Sequence, residues 1–157
     1  MPLLVLPEGA MPLPESAVIE SYLLDKYSGR GPTLLPPTPE LRARAALAAR
    51  VMDLYITPHQ GALYREMPAE QRSASLTAIA AQLDFLETIV AGPFVAGAEP
   101  SVGDGALFPT FCFLNAMLPA HFGWGDVYRG RPKLREWWEA ISADPEAVRV
   151  SGGGAAA

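Results

Sequence analysis

The sequence has little of what catalytic or redox chemistry commonly uses. Its 157 residues include one cysteine, Cys112, so no disulfide can close within the chain. That pattern fits a reducing compartment. There are two histidines, His59 and His121, and neither has a carboxylate or cysteine at ligand spacing. No metal site is therefore expected. The sequence contains no P-loop, no GxGxxG and no nucleophile elbow. Basic residues are outnumbered by acidic ones, 12 to 17, for a net charge of −5. This argues against a nucleic-acid groove or an anionic membrane surface as partner. No run is long enough for a transmembrane helix. The opening apolar run is broken by Pro7, Glu8 and Gly9 and has no cationic segment before it, so it does not read as a secretory signal. The expectation is a cytoplasmic protein, with any organelle leader lying upstream of this chain.

What is present is apolar residue at helical spacing. Half of the chain is hydrophobic, enough for one sizeable core. Residues 2 to 13 read as a short hairpin with Pro7-Glu8-Gly9 as its turn. Leu3, Leu4, Val5 and Leu6 form an unbroken apolar run, as in a strand covered on both faces. Pro14 is expected to open a helix with Val18, Ile19, Tyr22 and Leu23 as its buried stripe, stopped by Ser28-Gly29. A Pro-rich strut, "GRGPTLLPPTP", follows.

Beyond it the pattern is helical throughout. Thr38 and Pro39 start a long helix, and Pro58 predicts a kink in it. Arg42, Arg44 and Arg50 on this helix read as a solvated face. A second long helix begins near Pro68, with Leu76, Ile79, Leu83, Leu86 and Val90 as its stripe; the two are expected to pair antiparallel. Ser101 and Asp104 form a capping box ahead of a helix that is apolar nearly all round and should be central. A last helix starts at Pro132, with Leu134, Trp137, Trp138 and Ile141 facing inward. "SGGGAAA" closes the chain as a tail, residues 151–157.

"MPLLVLPEGAMPLPESAVIESYLLDKY", "FVAG", "SVGD" and "RPKLREWWEAISADPEAV", in that order, resemble the soluble glutathione transferases over roughly residues 1 to 150. The resemblance implies a mainly α protein. Residues 1–28 would be a ββα remnant of a thioredoxin-like domain, 29–38 a linker, and 39–150 an all-helical C-terminal-type domain. Two features depart from the family. Gly103 stands where a larger residue is usual, and with Gly105 puts two glycines in the first helical turn, each unfavourable by up to ~1 kcal/mol against alanine in a helix interior. The family's first strand–helix–strand–helix would precede Met1, and with it the Ser, Tyr or Cys that activates the thiol.

The family's chemistry is attack of a glutathione thiolate on an electrophile, so the resemblance implies glutathione as co-substrate and detoxification as role. It places Glu15 and Ser16 at the γ-glutamyl end, and Pro2 as a cis-proline whose neighbour Met1 would pair with the cysteinyl part. From spacing alone, Glu15 and Ser16 are ordinary first-turn residues and Pro2 a plain strand start. Tyr55, His59, Tyr64, Phe108 and Phe111 are candidates for an acceptor-pocket wall, although aromatics at this spacing are more often core. Cys112, on the most apolar helix, reads as a buried and inert thiol. No residue of the chain is identified as catalytic. The implied function is a glutathione transferase-like protein, N-terminally incomplete, with weak or no activity alone. The alternative is a non-catalytic interaction module. A hairpin covered on one face only implies a homodimer or other self-association.

Overall fold

Two strands of two residues each make up the only sheet among the described residues, which in this computed structural model are 2–7, 11–31 and 33–151. The chain divides into two compact units, Met1–Leu35 and Pro36–Ala157. In the first, β1 (Leu3–Leu4) pairs antiparallel with β2 (Leu13–Pro14), with Leu3 opposite Pro14 and Leu4 opposite Leu13. The expected turn at Glu8 and Gly9 and the tail beyond Ser151 lie outside the described residues. Pro14 belongs to the strand and not to the helix. Lacking an N–H, it suits a sheet edge. Helix α1 runs Ser16–Lys26.

Leu4, Leu6 and Leu13 are half-buried, while Leu3 and Val5 are 60% and 73% exposed. This is the alternation of a strand with one covered face. The buried stripe expected on α1 is not realised. Val18 and Leu23 are exposed, Ile19 and Tyr22 are half-buried, and no residue of the helix is fully buried. One helix on two short strands cannot enclose a side chain. At the helix end Lys26 Nζ donates to the Tyr22 hydroxyl at 2.8 Å, a hydrogen bond that raises the pKa of the exposed ammonium.

In the second unit, the Thr38 hydroxyl accepts from Leu41 N and opens α2 (Pro39–Val51). The chain then widens into a π turn at Met52–Ile56 and tightens into a 3-10 segment at Thr57–Leu63. Pro58 accounts for the change, since it has no N–H and its ring crowds the carbonyl one turn back. Helix α3 spans Ala69–Ile89, α4 Val102–Phe122 and α5 Pro132–Ala143. A further helix, α6 (Pro145–Val150), follows where the sequence suggested a single one. Asp144 interrupts the run and caps α6 by accepting from Glu146 N and Ala147 N at 2.9 and 3.2 Å.

The core lies around α4. Its Leu107, Phe111, Leu114 and Leu118 are fully buried with Ile79, Leu83 and Leu86 of α3 and with Leu134 and Trp137 of α5. The most extensive helix–helix contact is α2 on α4, ahead of α2 on α3. The face of α2 at this contact includes buried Ala45 and Ala48. A Cβ on Gly103 would lie 2.8 Å from the Ala45 carbonyl oxygen and 3.0 Å from its Cα. Gly103 is thus required by backbone-to-backbone approach. Nothing lies within 4 Å of a Cβ built on Gly105.

Charged side chains close the helix ends. Arg44 is half-buried and donates to the Ile89 carbonyl at 2.7 Å, capping α3. Arg42 donates to the carbonyls of Pro36 and Pro37, and Arg50 pairs with Asp53 at 2.6 Å. Arg42 and Arg50 are exposed, so the solvated-face reading fits these two and fails for Arg44. The Glu87 carboxylate accepts from Lys133 N and Leu134 N at 3.1 and 2.9 Å, which caps α5 from another helix.

The close approach gives a paired test. Gly103→Ala should destabilise the protein by about 1–3 kcal/mol, the range for overpacking. Gly105→Ala, two residues further on and in open space, should stabilise it by up to ~1 kcal/mol. Urea midpoints for the two variants that moved in the same direction would refute the α2–α4 contact.

Candidate functional site

Glu15 has φ 71° and ψ 120° and is the only non-glycine residue with positive φ among the described residues. It sits just before α1, where its carbonyl accepts from Val18 N and Ile19 N at 3.1 and 3.0 Å. No side chain caps this helix, and its first turn carries no acidic residue. The N–H groups of Ser16 and Ala17 have no partner among the described residues. Such a helix start, with an adjacent exposed hydroxyl on Ser16, has the donors and the dipole to hold a carboxylate. The exposed Glu15 carboxylate supplies the opposite charge for an ammonium. Pro2 is exposed. Met1 lies outside the described residues, and with it the geometry of the Met1–Pro2 bond.

The five aromatic candidates occupy two environments. Tyr55, on the π turn, and Tyr64, just after the 3-10 segment, are 53% and 58% exposed. His59 is half-buried on that segment. Tyr64 meets Phe113 edge-on at 5.9 Å. Phe108 and Phe111 are core residues. Phe108 stacks on Trp138 at 5.7 Å, and Phe111 packs edge-on against Trp137 at 4.8 Å. The structure therefore groups Tyr55, His59 and Tyr64 in one short stretch of chain.

A set of hydroxyls ties that stretch to α4, which no sequence motif signalled. Thr57 and Thr110 donate to the Met52 sulfur at 3.1 and 3.2 Å, and Gln60 Nε2 donates to the Thr110 hydroxyl at 3.2 Å. Cys112 is half-buried rather than fully enclosed, and desolvation raises its thiol pKa. The described residues contain no group of three His, Cys, Asp or Glu able to hold a metal ion.

Residues 69–140 match the family described as glutathione S-transferase, C-terminal domain. Over that stretch the helical unit is similar to the glutathione S-transferase C-terminal domain. Solved transferases share the fold over both units. Glutathione transferase Omega 3C of Trametes versicolor is 22% identical, with a TM-score of 0.76 over 90% of this chain and 63% of its own. A class Gtt2 transferase of Vibrio parahaemolyticus is 24% identical, with a TM-score of 0.71 over 97% of this chain and 72% of its own. A glutathione transferase homologue from Sulfitobacter, solved with bound glutathione, is 22% identical, with a TM-score of 0.70 over 98% and 82%. This chain thus spans less than two thirds of the Trametes transferase. No curated protein gives a significant match. In the helical unit, the capping box of Ser101 and Asp104 opens the buried helix α4.

The backbone at Glu15 is where strain and the candidate site coincide. A non-glycine residue held at such φ and ψ is unfavourable by about 1–3 kcal/mol. Glu15→Gly should release part of that and raise the protection of α1 amides against hydrogen exchange. Weaker protection after the change would show that the Glu15 side chain holds the helix start.

Proposed function

We propose that this chain is a glutathione transferase-like protein that binds glutathione at the start of α1. The γ-glutamyl carboxylate would take the free N–H groups of Ser16 and Ala17 and the Ser16 hydroxyl, and Glu15 would hold the ammonium. The observation that carries this reading is the uncapped helix start behind the strained Glu15. The Sulfitobacter relative with bound glutathione supports the choice of ligand. Tyr55, His59 and Tyr64 are the candidates for contact with an electrophile, and Met1 and Pro2 for contact with the cysteinyl part. A homodimer in the cytoplasm acting in detoxification would fit the family.

Conjugation requires the thiolate, and no residue of this chain is assigned to stabilise it. The chain as it stands is proposed to bind glutathione weakly and to conjugate a generic aryl halide near the uncatalysed rate. Calorimetric titration should detect binding that Ser16→Ala weakens by about tenfold, the loss of one hydrogen bond to a charged group. A conjugation rate well above background, lost with Ser16→Ala, would show instead that the chain forms a working site. Binding unchanged by Ser16→Ala would remove the proposed contact.

The exposed Leu3, Val5 and Met11 favour a second reading, an interaction module that associates through its hairpin. Each such side chain gains ~1.5–3 kcal/mol on full burial. Light scattering should then find self-association at micromolar concentration, weakened by deleting residues 1–13. A monomer with a well-protected hairpin would dismiss this reading.

A further inference from the structure

The π turn and the helix beside it meet on one sulfur atom. Thr57 closes the turn against Met52 twice. Its N–H donates to the Met52 carbonyl, and its hydroxyl donates to Met52 Sδ at 3.1 Å. Thr110 of α4 donates to the same sulfur at 3.2 Å. A thioether is a weak acceptor. A threonine in a helix ordinarily bonds a carbonyl one turn back, as Thr77 does to Ser73 and Thr88 to Phe85. At Met52 two hydroxyls converge on sulfur.

The two sides of that sulfur differ. Thr110 is 8% exposed, and Gln60 Nε2 donates to its hydroxyl at 3.2 Å. The α4 side is therefore enclosed and held. Thr57 is exposed. Met52 itself is half-buried and packs against the core. A small oxidant thus reaches the sulfur from the Thr57 side.

An oxygen added on that side meets a donor already in place. A sulfoxide is polar and chiral where the thioether is apolar, and its oxygen would face the Thr57 hydroxyl. An O–H···O bond takes about 2.7–2.8 Å by itself. The hydroxyl stands only 3.1 Å from the sulfur, so an oxygen between them must push the two apart. Thr110 is fixed within α4, and the displacement falls on Thr57 and the turn it closes.

We propose that Met52 is a modification site for hydrogen peroxide, which converts it to one sulfoxide epimer and so opens the π turn. A sulfur lone pair takes one peroxide oxygen and the O–O bond breaks. The other oxygen leaves as water with both protons, and the sulfur is oxidised by two electrons. The new oxygen accepts from the Thr57 hydroxyl. Ligand binding at Ser16 plays no part in this, nor does any electrophile near Tyr55, His59 and Tyr64.

The test treats the full chain with hydrogen peroxide. Its peptides are then incubated with each of the two methionine sulfoxide reductases, which act on opposite epimers, and read by mass spectrometry. One reductase should restore Met52 and the other leave it oxidised. Met11, 74% exposed, is the internal reference, and each enzyme should restore about half of it. Amide exchange over residues 53–64 should quicken about tenfold after oxidation, as local opening, with the α3 amides as reference. Met52→Leu, which nearly keeps the volume, should lose that response to peroxide. The epimer ratio is read in the unaltered chain, so it decides even if Met52→Leu fails to fold. Met52 that stays reduced while Met11 is fully converted overturns the proposal. So do equal epimers at Met52, exchange that quickens as much throughout α3, or a response that persists in Met52→Leu.

Discussion

Asp104 is 1% exposed and accepts four hydrogen bonds. Oδ1 takes Val95 N and Trp137 Nε1, both at 2.8 Å; Oδ2 takes Ser101 N and the Ser101 hydroxyl at 2.7 and 2.6 Å. A carboxylate this deep in the core is tolerable only when its lone pairs are filled. Filling them joins the 94–97 loop, the start of α4 and the inner face of α5 at one point. Each donor would be buried and unsatisfied without it, at about 1–3 kcal/mol apiece. Against total stabilities of ~5–15 kcal/mol, this one side chain holds the helical unit in register. The Gly103 contact adjoins it in sequence, so the same turn that anchors α4 to α5 also lets α4 touch α2.

Much of the helical unit was legible because its signals are local. Thr38 with Pro39, Pro68, Ser101 with Asp104, and Pro132 each mark a helix start through groups that act within one turn. What sequence pattern could not give were partners far along the chain. Glu87 caps α5 across 46 residues, Arg44 caps α3 across 45, and Trp137 meets Asp104 across 33. Gly103 is the sharpest case. By propensity it is a defect in a helix, and only the proximity of Ala45 turns it into a requirement. The sixth helix was missed although its signal is local: Asp144-Pro145 is a cap and first-turn pair that competes with continuation of α5.

The candidate site was legible in a different way. Spacing alone made Glu15 and Ser16 first-turn residues, and the resemblance to the transferases gave them a ligand. The structure adds what neither supplied: a backbone at positive φ and a helix start with no internal cap. In the acceptor-side set, helical spacing could not tell Phe108 and Phe111 from Tyr55 and Tyr64. The change to a π turn and then a 3-10 segment ahead of and around Pro58 made the difference. It puts Tyr55 and Tyr64 on the surface while α4 continues regularly and buries its aromatics.

The two units also differ in how they can be stable. The first ends at Leu35, below the size of ~40 residues at which small folds usually need disulfides, metals or association. It has no disulfide to draw on, and α1 contains no fully buried side chain. Yet it carries the strained Glu15, a feature that persists only where the surroundings over-determine it. The second unit has the opposite character, with a closed core and its helix ends capped by side chains from elsewhere. The proposed glutathione contacts therefore lie in the unit least able to hold their geometry alone. Whatever covers Leu3, Val5 and Val18, whether a second copy or further chain, would at the same time stabilise the helix start that the proposed ligand uses. If glutathione occupies that site and a partner covers the hairpin, the two equilibria would be linked, each strengthening the other.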